Sequence, residues 1–129
     1  MFRRLSWILL IAAALPGCQP KQPQAVACTD PQQGCEQAGV KVRFSAAPTV
    51  LTPFMLVVEA PGAKQVSASF AMLGMDMGEN RYKLESLNDG RRWQHSIILP
   101  VCVAGRSDWQ LVLEVDGVAR VFTFSAAAR

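Results

Sequence analysis

The sequence predicts an all-β fold, a single immunoglobulin-like antiparallel β-sandwich of about seven strands following a cleaved lipoprotein signal peptide. Three observations carry that reading. Apolar residues recur with a period of two along most of the chain beyond Val40, as they do in strands with one buried face. Turn formers separate these runs at intervals of roughly ten residues. No stretch beyond the leader carries the period of an amphipathic helix.

The leader comes first. Arg3 and Arg4 give it a positive start, and Trp7 to Leu15 form an apolar stretch too short to span a bilayer as a folded helix. It ends in Leu15-Pro16-Gly17-Cys18, a small residue before a cysteine, although proline is unusual in such a box. A bacterial lipoprotein needs a cysteine there because its thiol is acylated and becomes the new N-terminus. The expected organisation is therefore a signal peptide over 1–17, a lipidated tether and linker over 18–35, and the sandwich over 36–129. The tether is expected to be extended, since Gln19 to Ala27 is polar and contains prolines. Acylated Cys18 makes the lipid bilayer a partner. Gln19 in the next position points, in a Gram-negative cell, to the periplasmic face of the outer membrane, with the inner membrane as the alternative.

The strands follow. Inward positions are read as Val40, Val42 and Phe44, then Phe54, Leu56 and Val58, then Val66, Ala68, Phe70 and Met72. Further on they are Trp93, His95, Ile97 and Leu99, then Trp109, Leu111, Leu113 and Val115, with Val118 to Phe124 continuing the pattern. Ala60-Pro61-Gly62, Asn88-Asp89-Gly90 and Asp116-Gly117 supply turns, the last as a two-residue hairpin signal.

Composition narrows the function. Arg3 and Arg4 leave with the leader, so 13 basic and 10 acidic residues become 11 and 10. That balance argues against nucleic acid and against a polybasic lipid patch. The mature chain, of about 112 residues, suffices for one domain. An enzyme is not expected. The chain has one histidine, no serine nucleophile motif and no phosphate-binding glycine loop.

Methionine is the unusual component. Met72, Met75 and Met77 lie within six residues, interleaved with Gly74 and Gly78. Thioethers are uncharged, soft donors that suit Cu(I). On a regular strand Met75 and Met77 share a face and Met72 lies on the other, so convergence needs a bend, for which Gly74 is the obvious place. The alternative is that Met72 fills the core while Met75 and Met77 decorate a loop. His95 reads either as a partly buried ring near the end of the sandwich or as a further ligand, because neutral imidazole also suits copper.

The run Phe70–Tyr82, with Met72-Leu73-Gly74-Met75-Asp76-Met77-Gly78 and then Asn80-Arg81-Tyr82, resembles the YtkA-like/FixH-like group of small exported β-sandwich domains. So does Gly90-Arg91-Arg92-Trp93, a glycine–basic–tryptophan signature opening a strand. The resemblance covers roughly residues 40–125. It implies copper handling and assembly of respiratory haem–copper oxidases, with a copper chaperone or an oxidase subunit as partner. It also implies Met72, Met75 and Met77 as copper-site residues and Trp93 as a core anchor. The chain departs from the FixH type in having a lipid anchor instead of a transmembrane helix, and in carrying three additional cysteines.

Those are Cys28, Cys35 and Cys102, an odd number for an oxidising compartment. Cys28 and Cys35 bracket turn formers and are the favoured pair. That pairing would leave Cys102 buried or available as a soft ligand. A bond from either to Cys102 would instead staple the tether to the sandwich. No Cys-x-x-Cys is present to make a catalytic dithiol. The expected function is a membrane-anchored periplasmic copper-binding protein, with a metal-free envelope interaction module as the alternative use of the same methionine-rich loop.

Overall fold

The computed structural model describes Gly17 and residues 24–74, 80–87, 89–101 and 107–128. Residues 1–16 and 18–23, Cys18 among them, lie outside this range, as do Asn88, Arg129 and the segments 75–79 and 102–106. Among the described residues no helix is long and apolar enough to cross a membrane.

The described residues form ten strands in two five-stranded sheets. They are β1 (Ala25–Ala27), β2 (Cys35–Gln37), β3 (Val40–Phe44), β4 (Phe54–Glu59), β5 (Val66–Met72), β6 (Arg81–Lys83), β7 (Glu85–Ser86), β8 (Arg92–Ile97), β9 (Asp108–Val115) and β10 (Val118–Ser125). One sheet has the order β1-β10-β9-β5-β6 and the other β2-β3-β4-β8-β7. Strands β3-β4-β8-β7 thus take the A-B-E-D order of an immunoglobulin-like sandwich, and β5-β9-β10 its C-F-G order. Ten strands form where about seven were expected; four of the ten, of two or three residues each, are too short to show an alternation.

The core follows the alternation. Val42, Leu56, Val58, Ala68, Phe70, Ile97, Trp109, Leu111 and Leu113 are all essentially excluded from solvent. Trp93 is buried as well. Phe44 packs on Phe54 at 4.8 Å between ring centroids, and Phe124 meets Phe44 edge-on at 5.1 Å and Phe70 at 6.1 Å. Such edge-to-face contacts add to what burial of the rings contributes.

The tether does not run to residue 35. Ala25–Ala27 pairs in parallel with β10, with Ala25 opposite Val121, and the Cys28 N–H donates to Thr123 O at 2.7 Å. Cys28 is buried, and a disulfide joins it to Cys35 at the start of β2 in the opposite sheet. The bond therefore clamps the two sheets along one flank. This edge strand is held by its backbone pairing with β10 and by Val26, which packs against the core.

The opposite flank is closed by Leu84. It is the single residue between β6 and β7 and carries the chain from one sheet to the other, buried and with its N–H donating to Val66 O at 2.9 Å. The sandwich has two unlike ends. The turn end gathers 38–39, 60–64, 89–91 and 116–117. The methionine end gathers 45–53, 73–74, 98–101 and 107–108, together with the C-terminal residues 126–128.

Candidate functional site

Met72 is the last residue of β5 and faces inward, 3% exposed, at the rung where Trp109 is its partner on β9. The chain then leaves the sheet. Leu73 donates its N–H to Asp108 O at 3.1 Å, and Gly74 follows with φ of 77°, a conformation glycine adopts without strain. Beyond 75–79 the chain returns at Asn80, whose carbonyl accepts the Phe70 N–H at 3.1 Å. Both stems of the methionine segment are thereby fixed to the sandwich. Met75 and Met77 themselves lie outside the described residues, as does Cys102.

The stems do relate the two segments. Leu73 precedes 75–79, and Asp108 comes directly after Ser107, where the chain returns from 102–106. These stems are hydrogen-bonded neighbours on adjacent strands. Beside them is a cleft of about 380 Å³ lined by Cys28, Thr29, Pro31, Leu73, Asp108, Phe124 and Ser125, among others.

His95 sits elsewhere. It lies on β8 opposite Leu56, partly buried, with its ring 5.2 Å from that of Tyr82 and its Nδ1 2.7 Å from Ser96 O. Tyr82 is paired with Ala68 on β5 and donates its hydroxyl to Ile98 O at 3.1 Å. His95 and Tyr82 thus seal the flank between the sheets. The Ala68 rung is four residues from Met72, which places the two levels about 13 Å apart along the strand. Phe70 fills the inward position between them, its ring 6.1 Å from that of Tyr82. The structure therefore does not bring Met72 and His95 together.

Among the described residues no group of three or more His, Cys, Asp or Glu converges as a metal site. Of the cysteines, Cys28 and Cys35 are joined to each other in the disulfide. Of the three clustered methionines, Met72 is committed to packing.

Sequence reasoning missed two residues that organise the ends. Gln37 bridges the flank, donating from Nε2 to Gln24 O and accepting the Val121 N–H at Oε1 at 3.0 Å. Nothing in a polar residue near a turn signals that role. Arg120 is different, because it occupies an inward position in the series Val118, Arg120, Phe122 and Phe124. A charge on a core face is a visible anomaly. Compared with known protein families and with curated proteins, the chain matches none.

Proposed function

We propose that the chain is a lipid-anchored periplasmic protein that binds Cu(I) through Met75 and Met77 and assists copper handling or respiratory oxidase assembly. Acylated Cys18 would hold it on the membrane, with Gln19 directing it to the outer membrane of a Gram-negative cell. The observation that supports the copper reading is the fate of Met72. It is locked into the core while the chain turns away at Leu73-Gly74, so two further thioethers follow within three to five residues of a fixed stem. Fixed stems reduce the ordering cost of bringing donors together. Uncharged thioethers suit Cu(I) in an oxidising compartment, where they are less readily lost to oxidation than thiolates. Cys102 belongs to the segment whose stem is bonded to that of the methionines and is the proposed supplement. His95, whose ring lies beside that of Tyr82, is the alternative supplement. The bound ion would be cargo, handed to a copper chaperone or an oxidase subunit.

The test is a Cu(I) titration of the mature chain against a colorimetric chelator, with copper held reduced by ascorbate. The expected result is one ion per chain, lost in Met75→Leu/Met77→Leu and kept in Met72→Leu. Equal retention in the double variant would sink the assignment.

A second reading has its own observation. Leu51, Ile98 and Val101, at 44%, 48% and 57% exposure, are large apolar side chains at the methionine end. They suit a metal-free protein-binding surface continuous with the methionine segment. It predicts capture of an envelope partner that persists in chelator and is weakened by Val101→Ser.

A further inference from the structure

The end of the sandwich away from the methionines holds an unexplained cation. Arg120 projects from the core face of β10, at the rung of Leu113, into the mouth between the sheets. Its Nη1 reaches Val118 O at 3.4 Å and its Nη2 reaches Ala38 O at 3.5 Å, both at the outer limit of a hydrogen bond. Its Nε is buried with no hydrogen-bond partner. A guanidinium placed on a core face with its donors barely used is costly unless something else satisfies it. A cleft of about 200 Å³ opens beside it, lined by Ala38, Gly39, Pro61, Gly62 and Asp116 among others. Gly39 and Gly62 leave open space where a side chain would stand, so an incoming group can approach their backbone.

We propose that this end docks on the phospholipid headgroups of the membrane that carries the acyl anchor, with Arg120 as the phosphate-binding residue and Lys64 on its rim. The proposal rests on the anchoring at Cys18 given above. Two observations select a lipid surface as the occupant. The first is where the chain leaves the fold. Strand β1 runs parallel to β10, so the chain N-terminal to Ala25 points toward the turn end, and Gln24 lies beside the level of Arg120. Five residues lie between Cys18 and Gln24, six steps of chain with a reach of at most about 20 Å. That is ample for the nearby hairpin at Asp116-Gly117. To bring the methionine end to the bilayer, the tether would have to double back along about 17 Å of β10, nearly fully extended.

The second observation is charge. Asp116 is the carboxylate at the cleft, and its Oδ1 accepts the backbone N–H groups of Lys64 and Gln65 at 2.8 and 2.9 Å. Asp89 on the neighbouring turn is paired with Arg92 at 3.0 Å. Lys64 and Arg91 remain exposed, and Val118 stands 59% exposed at the hairpin tip. Cations around an apolar tip are the complement of a phosphate layer over acyl chains, and a bidentate guanidinium suits a phosphodiester. Composition gave no polybasic segment, and none is needed. Arg120 from β10, with Lys64 and Arg91 from two turns, gives a weak contact that the anchor makes intramolecular.

The test uses the full-length mature chain, acylated in cells, in nanodiscs of phosphatidylglycerol or phosphatidylcholine. A Val118→Trp variant reports insertion through quenching by brominated acyl chains. Mass spectrometry first establishes the acyl group, and a mature chain without it overturns the anchor and this proposal together. With the anchor present, the indole at 118 is expected to be quenched, more strongly in phosphatidylglycerol. Arg120→Gln and Lys64→Gln should each shift the docked fraction about fivefold toward the free form, and Arg120→Lys should retain most of it. An acylated chain with no quenching overturns the docking alone, as does quenching indifferent to both charge variants. Lys64→Glu, at an exposed turn, keeps the test decisive if Arg120→Gln unfolds. Millimolar inorganic phosphate that releases the tip without a lipid preference would assign the cleft to free phosphate and overturn the membrane face.

Discussion

The two ends of this sandwich are closed by different means. At the turn end each connection is a tight local turn, and the turns are then tied together by the Ala60 N–H on Arg91 O and by Asp116 against Lys64 and Gln65. Ala60-Pro61-Gly62-Ala63 closes with the Ala63 N–H on Ala60 O at 3.1 Å, and Asp116-Gly117 is a two-residue hairpin with φ of 49° and 81°. At the methionine end closure is long-range. Leu51 donates to Leu99 O, Ala126 to Ser107 O and Ala127 to Pro48 O, and Thr49 bridges Ala127. Local turns set strand register cheaply, whereas long-range contacts must first overcome loop closure. The methionine end is where Leu51, Ile98 and Val101 stand exposed, and the turn end is where Lys64, Arg91 and Arg120 gather beside Asp89 and Asp116.

One strand displays the contrast and yields the largest expected effect. Phe124 and Arg120 share the inward face of β10, four residues apart, at opposite ends of the core. Phe124 is buried against Phe44 and Phe70, so Phe124→Ala should cost about 3–5 kcal/mol in urea unfolding. Arg120→Leu should leave stability unchanged or raise it, because it removes a buried donor that has no partner. A large loss in Arg120→Leu would break the comparison by showing that the cation is structural. Next in size is the flank clamp. The Cys28–Cys35 bond closes a loop with a sequence separation of 7, so Cys28→Ala/Cys35→Ala should cost about 2.5 kcal/mol. The same double variant should loosen amide protection in Ala25–Ala27 before it affects β5 and β9.

How much was legible in the sequence follows the same division. The longer strands and their inward faces could be read from alternation, since each buries one face against the other sheet. The two ends could not be read equally. Asp116-Gly117 and Pro61-Gly62 carry their φ requirements in their residue types. Strand β1 was missed because three residues, of which only Val26 packs on the core, are too few to show an alternation. The removal of His95 from Met72 depends on which rung faces Tyr82, and no spacing within one strand encodes that. Met72 was the half-legible case. Its place in the series Val66, Ala68, Phe70 already put it in the core, against its membership of the methionine cluster.

Smaller effects sharpen the turn end. The Asp116 carboxyl is held below the usual carboxylate range, first by the Gln65 N–H and then by that of Lys64. A depressed folded-state pKa contributes stability that is present above the unfolded value, 3.8, and is lost as pH falls through the folded one. Asp116→Asn should therefore lower stability most at neutral pH and least in acid, which flattens the acid limb of the profile below about pH 4. Asp89, held down by the Arg91 N–H and then that of Arg92, acts in the same window, so Asp116→Asn should remove part of the limb and the double variant more of it.

The smallest effect distinguishes the two ends most directly, because each contains one non-glycine residue in the left-handed region outside the Asp-Gly hairpin. Ala38 has φ of 49° in the two-residue turn between β2 and β3, and Leu51 has φ of 61° in the connection from β3 to β4. Left-handed backbone costs an ordinary L-residue about 1–2 kcal/mol, and asparagine relieves part of it. Ala38→Asn should raise the urea midpoint by the equivalent of about 0.5–1 kcal/mol with an unchanged slope. The Ala38 side chain is short and its carbonyl, the acceptor for Arg120, is retained, so nothing offsets the gain. Leu51→Asn should gain the same amount only if its half-exposed side chain packs on nothing. If Ala38→Asn stabilises and Leu51→Asn does not, the leucine is held against the methionine end by contacts worth the strain. If both stabilise equally, the strain at Leu51 is uncompensated in the free protein, as expected of a side chain kept for a partner.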